Sequence, residues 1–404
     1  MTNHIARVAI LLAGLAGSLI SRSAAQEVPT DEMVIASAVP TFGITPYDSR
    51  TELSPVWMHA EYLYGVLGDR SLPALVTTSP NGTLPADAGV LGEPDTTVLI
   101  GGSDQLNAPG VRGFFGIRPL LWYDQSNPLE IETSLMWFGE EYDAAAGPST
   151  GDPILARPFF DTISGNQTSS LVAYPGISDG VVDTEVSSEI HSLGILFRQN
   201  WRQSERWRID AVAGYRYFNL REKLVVDENL VLPTADPWGR DEYVERYDSF
   251  RTNNYFHGGE IGILARGAHF NWELEVRANV AIGGLRQNLS LDGFTFFDIP
   301  LASGQDDREQ ITLPGGFLTS PLELGGHSAR SIAIMPQVDV TLYRRVTPDF
   351  DFTVGYTFVM VPDVIRLDDQ VAVDFAGFPG TPPQPRTLNE SDFFINALRI
   401  GVRL

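Results

Sequence analysis

Residues 270 to 282 read Phe270-Asn271-Trp272-Glu273-Leu274-Glu275-Val276-Arg277-Ala278-Asn279-Val280-Ala281-Ile282. Successive side chains of a β-strand point to opposite faces, so this stretch splits into two rows. Phe270, Trp272, Leu274, Val276, Ala278, Val280 and Ile282 form an apolar row; Asn271, Glu273, Glu275, Arg277 and Asn279 form a polar one. A strand tilted by about 45° needs roughly 9 to 11 residues to cross a bilayer core, and this ladder is long enough. It predicts a strand with one face against lipid and the other against water or other charges.

Working outward, nine further ladders repeat the alternation, over 56–67, 111–122, 129–138, 182–200, 207–219, 250–266, 331–343, 350–361 and 393–404. Four short connections, 123–128, 201–206, 267–269 and 344–349, alternate with five long ones, 68–110, 139–180, 220–249, 283–330 and 362–392. Short turns at one end and long loops at the other are the pattern of an outer-membrane barrel with an even strand count and both termini on the periplasmic side. The fold class predicted is therefore all-β: a transmembrane antiparallel up-and-down β-barrel of about ten strands, with short periplasmic turns and long extracellular loops. Twelve strands is the alternative, because Leu285, Gln287, Leu289 and Leu291 read either as an extra strand pair or as a hairpin standing above the membrane. A soluble antiparallel sandwich also alternates apolar and polar residues, but it does not predict alternating loop lengths.

The N-terminus sets the compartment. Arg7, an apolar run from Val8 to Ile20, and the small residues Ser23-Ala24-Ala25 read as a secretory signal peptide over 1–25, cleaved before Gln26. Residues 26–54 carry prolines and no sustained period, and read as a periplasmic extension before the barrel at 55–404. No later segment offers the roughly 18 consecutive apolar residues of a membrane helix. The chain has no cysteine, which removes disulfides and thiolate metal sites. Its formal charge of −23 argues against nucleic acid as a partner and leaves divalent cations as candidate partners of the acidic loops. The six histidines form no close metal-binding pair, and no cofactor is expected.

If the apolar rows meet lipid, Glu61, Glu130, Glu132, Arg208, Asp210, Arg216, Glu273, Glu275, Arg277, Asp339, Arg399 and Arg403 face the lumen. A barrel near eight strands is just filled by its own side chains, whereas wide channels need about 16 to 18. Ten strands with mixed charges inside predict a narrow or plugged lumen laced with arginine–carboxylate pairs. Trp57, Trp122, Trp201, Trp207 and Trp272 fall at the short-turn end, where an aromatic girdle is expected. Trp137 is placed at the outer rim and Trp238 in a loop.

Several stretches of the long connections and ladders resemble a known family: Leu75-Val-Thr-Thr-Ser-Pro80, Val90-Leu-Gly-Glu-Pro-Asp-Thr-Thr-Val-Leu-Ile-Gly-Gly102, Ile154-Leu-Ala-Arg-Pro-Phe-Phe160, Val172-Ala-Tyr-Pro-Gly176, Ala213-Gly-Tyr-Arg-Tyr-Phe218, Phe250-Arg-Thr-Asn-Asn-Tyr-Phe-His-Gly-Gly259 and Phe352-Thr-Val-Gly-Tyr356. Together they are similar to the planctomycete β-barrel porin family numbered seven. The resemblance implies an outer-membrane barrel over 55–404 and carries over no catalytic or ligand-binding residue. The C-terminus departs from many such barrels, which end in an aromatic residue read by the assembly machinery, whereas this chain ends Arg403-Leu404.

The function expected first is a narrow porin-like channel for small solutes or ions, with outer-membrane lipid and the barrel assembly machinery as partners. The alternative is a non-conducting structural or surface-binding barrel acting through its long acidic loops. Third comes a barrel-embedded hydrolase, since Gly176-Ile-Ser-Asp-Gly180 matches a nucleophile-elbow pattern that would need His191 or His327 as base. That pattern has mechanical meaning only on a strand-to-helix turn, which this chain does not predict; a turn glycine is the plainer reading, and no enzyme is expected. The sequence leaves the solute and the oligomeric state open.

Overall fold

The computed structural model describes residues 55–119, 129–204, 207–234, 239–301, 306–377, 379–382 and 387–404. The expected signal peptide, the N-terminal extension, Trp122 and Trp238 lie outside them. No described helix is long and apolar enough to cross a membrane.

Ten antiparallel strands close on themselves in the order β1 (Val56–Ser79), β14 (Ser391–Arg403), β12 (Phe350–Val364), β11 (Gly325–Thr347), β9 (Trp272–Pro300), β8 (Glu242–His269), β7 (Trp207–Leu232), β6 (Asp179–Gln203), β3 (Glu130–Ser149) and β2 (Thr97–Ile117), with β2 returning to β1. Closure satisfies every ladder hydrogen bond internally and leaves the barrel no edge within the membrane. The remaining strands stand at the long-loop end. There β4 (Ile154–Asp161) and β5 (Asn166–Ala173) form a hairpin against β1, β10 (Arg308–Pro314) folds back on β9, and β13 (Asp374–Phe375) runs parallel to β4. The barrel count is ten, and the stretch weighed as an extra strand pair is the upper part of β9 with the β9–β10 hairpin above it.

The decisive ladder begins two residues later than its alternation implies. Phe270 and Asn271 make the β8–β9 turn, with φ at 52° for Phe270, and His269 pairs with Trp272. A two-residue hairpin needs such a positive φ to match the twist of its strands.

The long connections are mostly not loops. β7, β8 and β9 run 26, 28 and 29 residues, far beyond a membrane crossing. Within the crossing the outward row of β9 is apolar (Leu274, Val276, Val280, Ile282) and the inward row charged; above Gly283 and Gly284 the polarity inverts. Leu285, Leu289 and Leu291 are buried inside, while Arg286 and Ser290 are exposed outside. The alternation persists as the outer solvent changes from lipid to water.

Not every strand pair extends. β2 and β3 pair only from Ile117↔Ile131 to Gly110↔Phe138, and β11 leaves β12 above Gln337↔Val359. The first seam is plugged by Phe138, fully buried over Gly65 and Gly110, where an added Cβ would stand 2.6 and 2.5 Å from its ring. Phe138→Ala is expected to cost about 3–5 kcal/mol, since the surrounding sheet cannot close over the hole. Urea unfolding of the refolded barrel, followed by tryptophan fluorescence, checks this; a loss below about 1 kcal/mol would show that the site collapses.

Candidate functional site

The interior is built in layers because the inward rows of all ten strands change character together. At the short-turn end lies a charged layer. Arg399 grips both carboxylate oxygens of Glu61 at 2.7 and 2.8 Å, and Arg216 holds Glu260 at 2.6 and 2.9 Å. Arg266 binds Glu275 at 2.6 Å, and Arg403 joins Asp351 at 2.6 Å to Glu273 at 2.8 Å. Arg198 bridges Asp210 at 2.5 Å and Glu130 at 3.1 Å; Arg208 and Arg118 add a second arginine to each of those acids.

Two further pairs cross the lumen. Arg277 of β9 takes both oxygens of Glu132 on β3, one at 2.9 Å, and Arg112 of β2 takes Asp339 on β11 at 2.7 and 3.3 Å. In each case three strands separate the partners around the wall. These are forked arginine–carboxylate contacts, the strong kind. The network holds nine arginines against nine carboxylates, so the chain's excess of acid resides elsewhere.

All twelve polar-face residues named from the sequence are buried, and each is in this network. Sequence reasoning did not single out Arg112, Arg118, Arg198, Glu260, Arg266 and Asp351, although each shares the inward phase of a ladder. Trp201, Trp207 and Trp272 are exposed at the short-turn end. Trp57 is a correction: it shares the inward phase of His59 and Glu61 and donates its indole N–H to Glu130 at 2.9 Å, so it does not stand in an outward girdle. Trp57, His59, Phe114, Arg266, Thr341 and Tyr343 are among the residues lining a small pocket at this end of the barrel.

Above the charges lies an apolar septum, to which every barrel strand contributes. Leu63, Leu106, Phe138, Ile190, Phe218, Phe256, Leu285, Met335, Val361 and Phe393 give one residue for each strand. Above it the chain after β12 turns inward. Glu222 accepts from Arg366 at 3.0 Å and from the Leu367 N–H at 2.9 Å, while Asn254 exchanges two 2.9 Å hydrogen bonds with the backbone of Ile365. Gln287 donates to the Asp363 carbonyl. The long connection expected at 362–392 therefore begins as a plug inside the barrel. A second apolar core, including Phe159, Phe250, Phe317 and Phe375, closes the top, with buried Arg157 bonded to Glu228 at 3.0 Å and stacked on Phe317.

Ser178 is buried in the β5–β6 turn, and its hydroxyl has no hydrogen-bond partner among the described residues. His191 sits on the outward face near Glu189, and His327 contacts the Glu323 carbonyl, so neither meets the serine. Among the described residues no group of three or more His, Cys, Asp or Glu side chains is arranged to hold a metal ion.

A sequence profile described as "Putative beta barrel porin-7 (BBP7)" matches residues 57–404. The chain belongs to this porin family. It is thus an outer-membrane β-barrel, as the exposed apolar rows of its strands require. No curated relative matches it. Among solved structures the porin-family chain is similar to the outer membrane protease OmpT from Escherichia coli, at 9% identity over 87% of this chain and 97% of that one, with a TM-score of 0.40. It is also similar to a TodX monoaromatic hydrocarbon channel mutant, at 8% identity over 89% and 92%, with a TM-score of 0.28. At such scores neither likeness bears on activity.

Removing one member of a lumen-crossing pair strands a buried charge. Arg277→Met alone is expected to destabilise the barrel by about 3–5 kcal/mol, as is Glu132→Leu alone, while the two together cost clearly less than their sum. A double-mutant cycle on urea midpoints reads this. If the double variant loses the sum of the two single losses, the pair is not coupled.

Proposed function

We propose that this porin-family protein is a sealed barrel: a structural, surface-presenting component of the outer membrane that acts through its long-loop end and not by free diffusion through its lumen. One observation carries the reading, the apolar septum joined by all ten strands. An ion crossing it would exchange water for hydrocarbon, at a cost of many kcal/mol. The inward plug and the upper core are two further barriers in series. In this reading the lumen charges are struts and the short turns face the periplasm. The acid-rich upper half then meets ligands outside the cell, divalent cations among them, while membrane lipid and the assembly machinery remain its partners in the envelope.

The second reading, a narrow channel for small solutes or ions, draws on the charge-lined cavity at the short-turn end. It requires the Asp363–Leu367 plug to leave and the septum to part. Single-channel recording in a planar bilayer decides between them, after an unboiled gel shift has shown that the barrel is folded. The sealed barrel carries no stepwise current, and replacing Phe138, Phe218 and Phe256 together by alanine raises the conductance above that baseline. Stepwise wild-type currents altered by Arg208→Gln or Glu275→Gln would overturn the sealed reading.

A further inference from the structure

The outward face of β7, β8, β9 and β11 carries an unexplained electrostatic cost. Arg286 of β9 lies directly opposite Arg330 of β11, and Lys223 of β7 directly opposite Arg251 of β8. Directly opposed residues of an antiparallel pair hold their Cβ atoms about 5 Å apart, and like charges there are destabilising. The two outward rows that contain these pairs, with the row between them, hold Asn219, Tyr255, Arg286 and Arg330, then Arg221, Asn253, Asn288 and Ser328, then Lys223, Arg251, Ser290 and Gly326. Five of the twelve are cations and none is an acid, in a chain with 51 acidic and 28 basic residues.

The protein compensates only the β6 side of this patch. Lys223 pairs with Glu185 at 2.7 Å, and Arg221 lies opposite Glu189. Arg286 is exposed and its one side-chain contact among the described residues is Nε to Asn288 at 3.3 Å, which leaves its terminal nitrogens unbound. Arg330 is exposed and has no hydrogen bond or ion pair among the described residues. Beside them Tyr255 accepts from Asn253 at 2.6 Å, so its own proton is available to an acceptor lying over the two arginines.

Height identifies the acceptor. Fourteen residues separate Trp272 from Arg286 along β9, and the same number separates Arg330 from Arg344, which pairs with Trp272. At about 3.3 Å per residue and a tilt near 40°, the arginine pair stands roughly 35 Å above the Trp272 level. The apolar band of such barrels is about 25 Å tall, and headgroups extend the bilayer to about 40–45 Å. Directly beneath the pair the outward row returns to Ile332 and to Ile282 opposite Ile334. We propose that Arg286, Arg330 and Tyr255, with Arg251 above, form a binding site for the phosphate of an anionic lipid headgroup in the leaflet at the long-loop end. A phosphate between the two guanidiniums accepts forked hydrogen bonds from each and turns their repulsion into attraction. The lipid's chains lie against the isoleucines below.

The test uses the refolded barrel in lipid-free zwitterionic detergent, offered phosphatidylglycerol or phosphatidylcholine and read by native mass spectrometry. Wild type is expected to retain the anionic lipid at least about tenfold over the zwitterionic one, and Arg286→Ala with Arg330→Ala to lose that preference. Inorganic phosphate should neither bind detectably nor displace the lipid. Thermal unfolding adds a sign: Arg330→Ala raises the midpoint in lipid-free detergent, where it relieves repulsion, and lowers it in phosphatidylglycerol vesicles. If the double variant fails the gel-shift test of folding, Arg330→Ala alone is read by both methods. No lipid preference in wild type, undiminished preference in the variant, displacement by inorganic phosphate, or the same sign of shift in both media would each overturn the proposal.

Discussion

Charges placed inside a ten-strand barrel must neutralise one another, because neither lipid nor bulk water can do it for them. Arg277–Glu132 and Arg112–Asp339 show how that constraint is met: each spans the lumen between strands that are not neighbours. Such reach exists only in a narrow cylinder, so strand number and charge content depend on each other. Each buried charge is expensive, and a forked partner with further donors offsets the cost without a large surplus. What the network supplies is registration. A one-residue slip of any strand would turn its arginines toward lipid and its apolar row toward the charges.

The second organising fact is that inside and outside exchange polarity at the same height. Below Gly283 the sheet is apolar outside and charged inside; above it leucines and phenylalanines fill the interior. A strand leaving lipid for water has to turn its apolar residues inward, and ten strands doing so together make a septum. The wall above the membrane thus becomes the shell of a second, soluble-type core, which admits the β4–β5 hairpin and the segment around Ile365. The directly opposed Arg286 and Arg330 sit where this exchange occurs.

Much of this was legible in the sequence, because a two-residue period reports phase directly. The ladders at 207–219 and 350–361 sit within β7 and β12, and the charges on one side of each ladder proved to be one buried network. Residue type misleads where phase does not: a tryptophan at the short-turn end suggests a girdle, yet Trp57 is in step with Glu61 and faces inward. The strand extensions were hidden by the polarity exchange, since a pattern read as apolar outside and charged inside stops making sense when both solvents change. Leu285 and Leu289 looked like a separate element for that reason. The plug could not be read at all. Glu222 meets Arg366 across 144 residues, and no local pattern encodes such a pairing.

Since the chain has no native cysteine, one introduced thiol can report on the septum from either side. The most direct measurement is the labelling of Trp57→Cys, half-buried at the charged pocket below the septum, by a membrane-impermeant thiol reagent applied to one face of oriented proteoliposomes. A sealed barrel is labelled only from the short-turn side. Labelling at comparable rates from both sides would show a continuous water path through the septum and contradict the account.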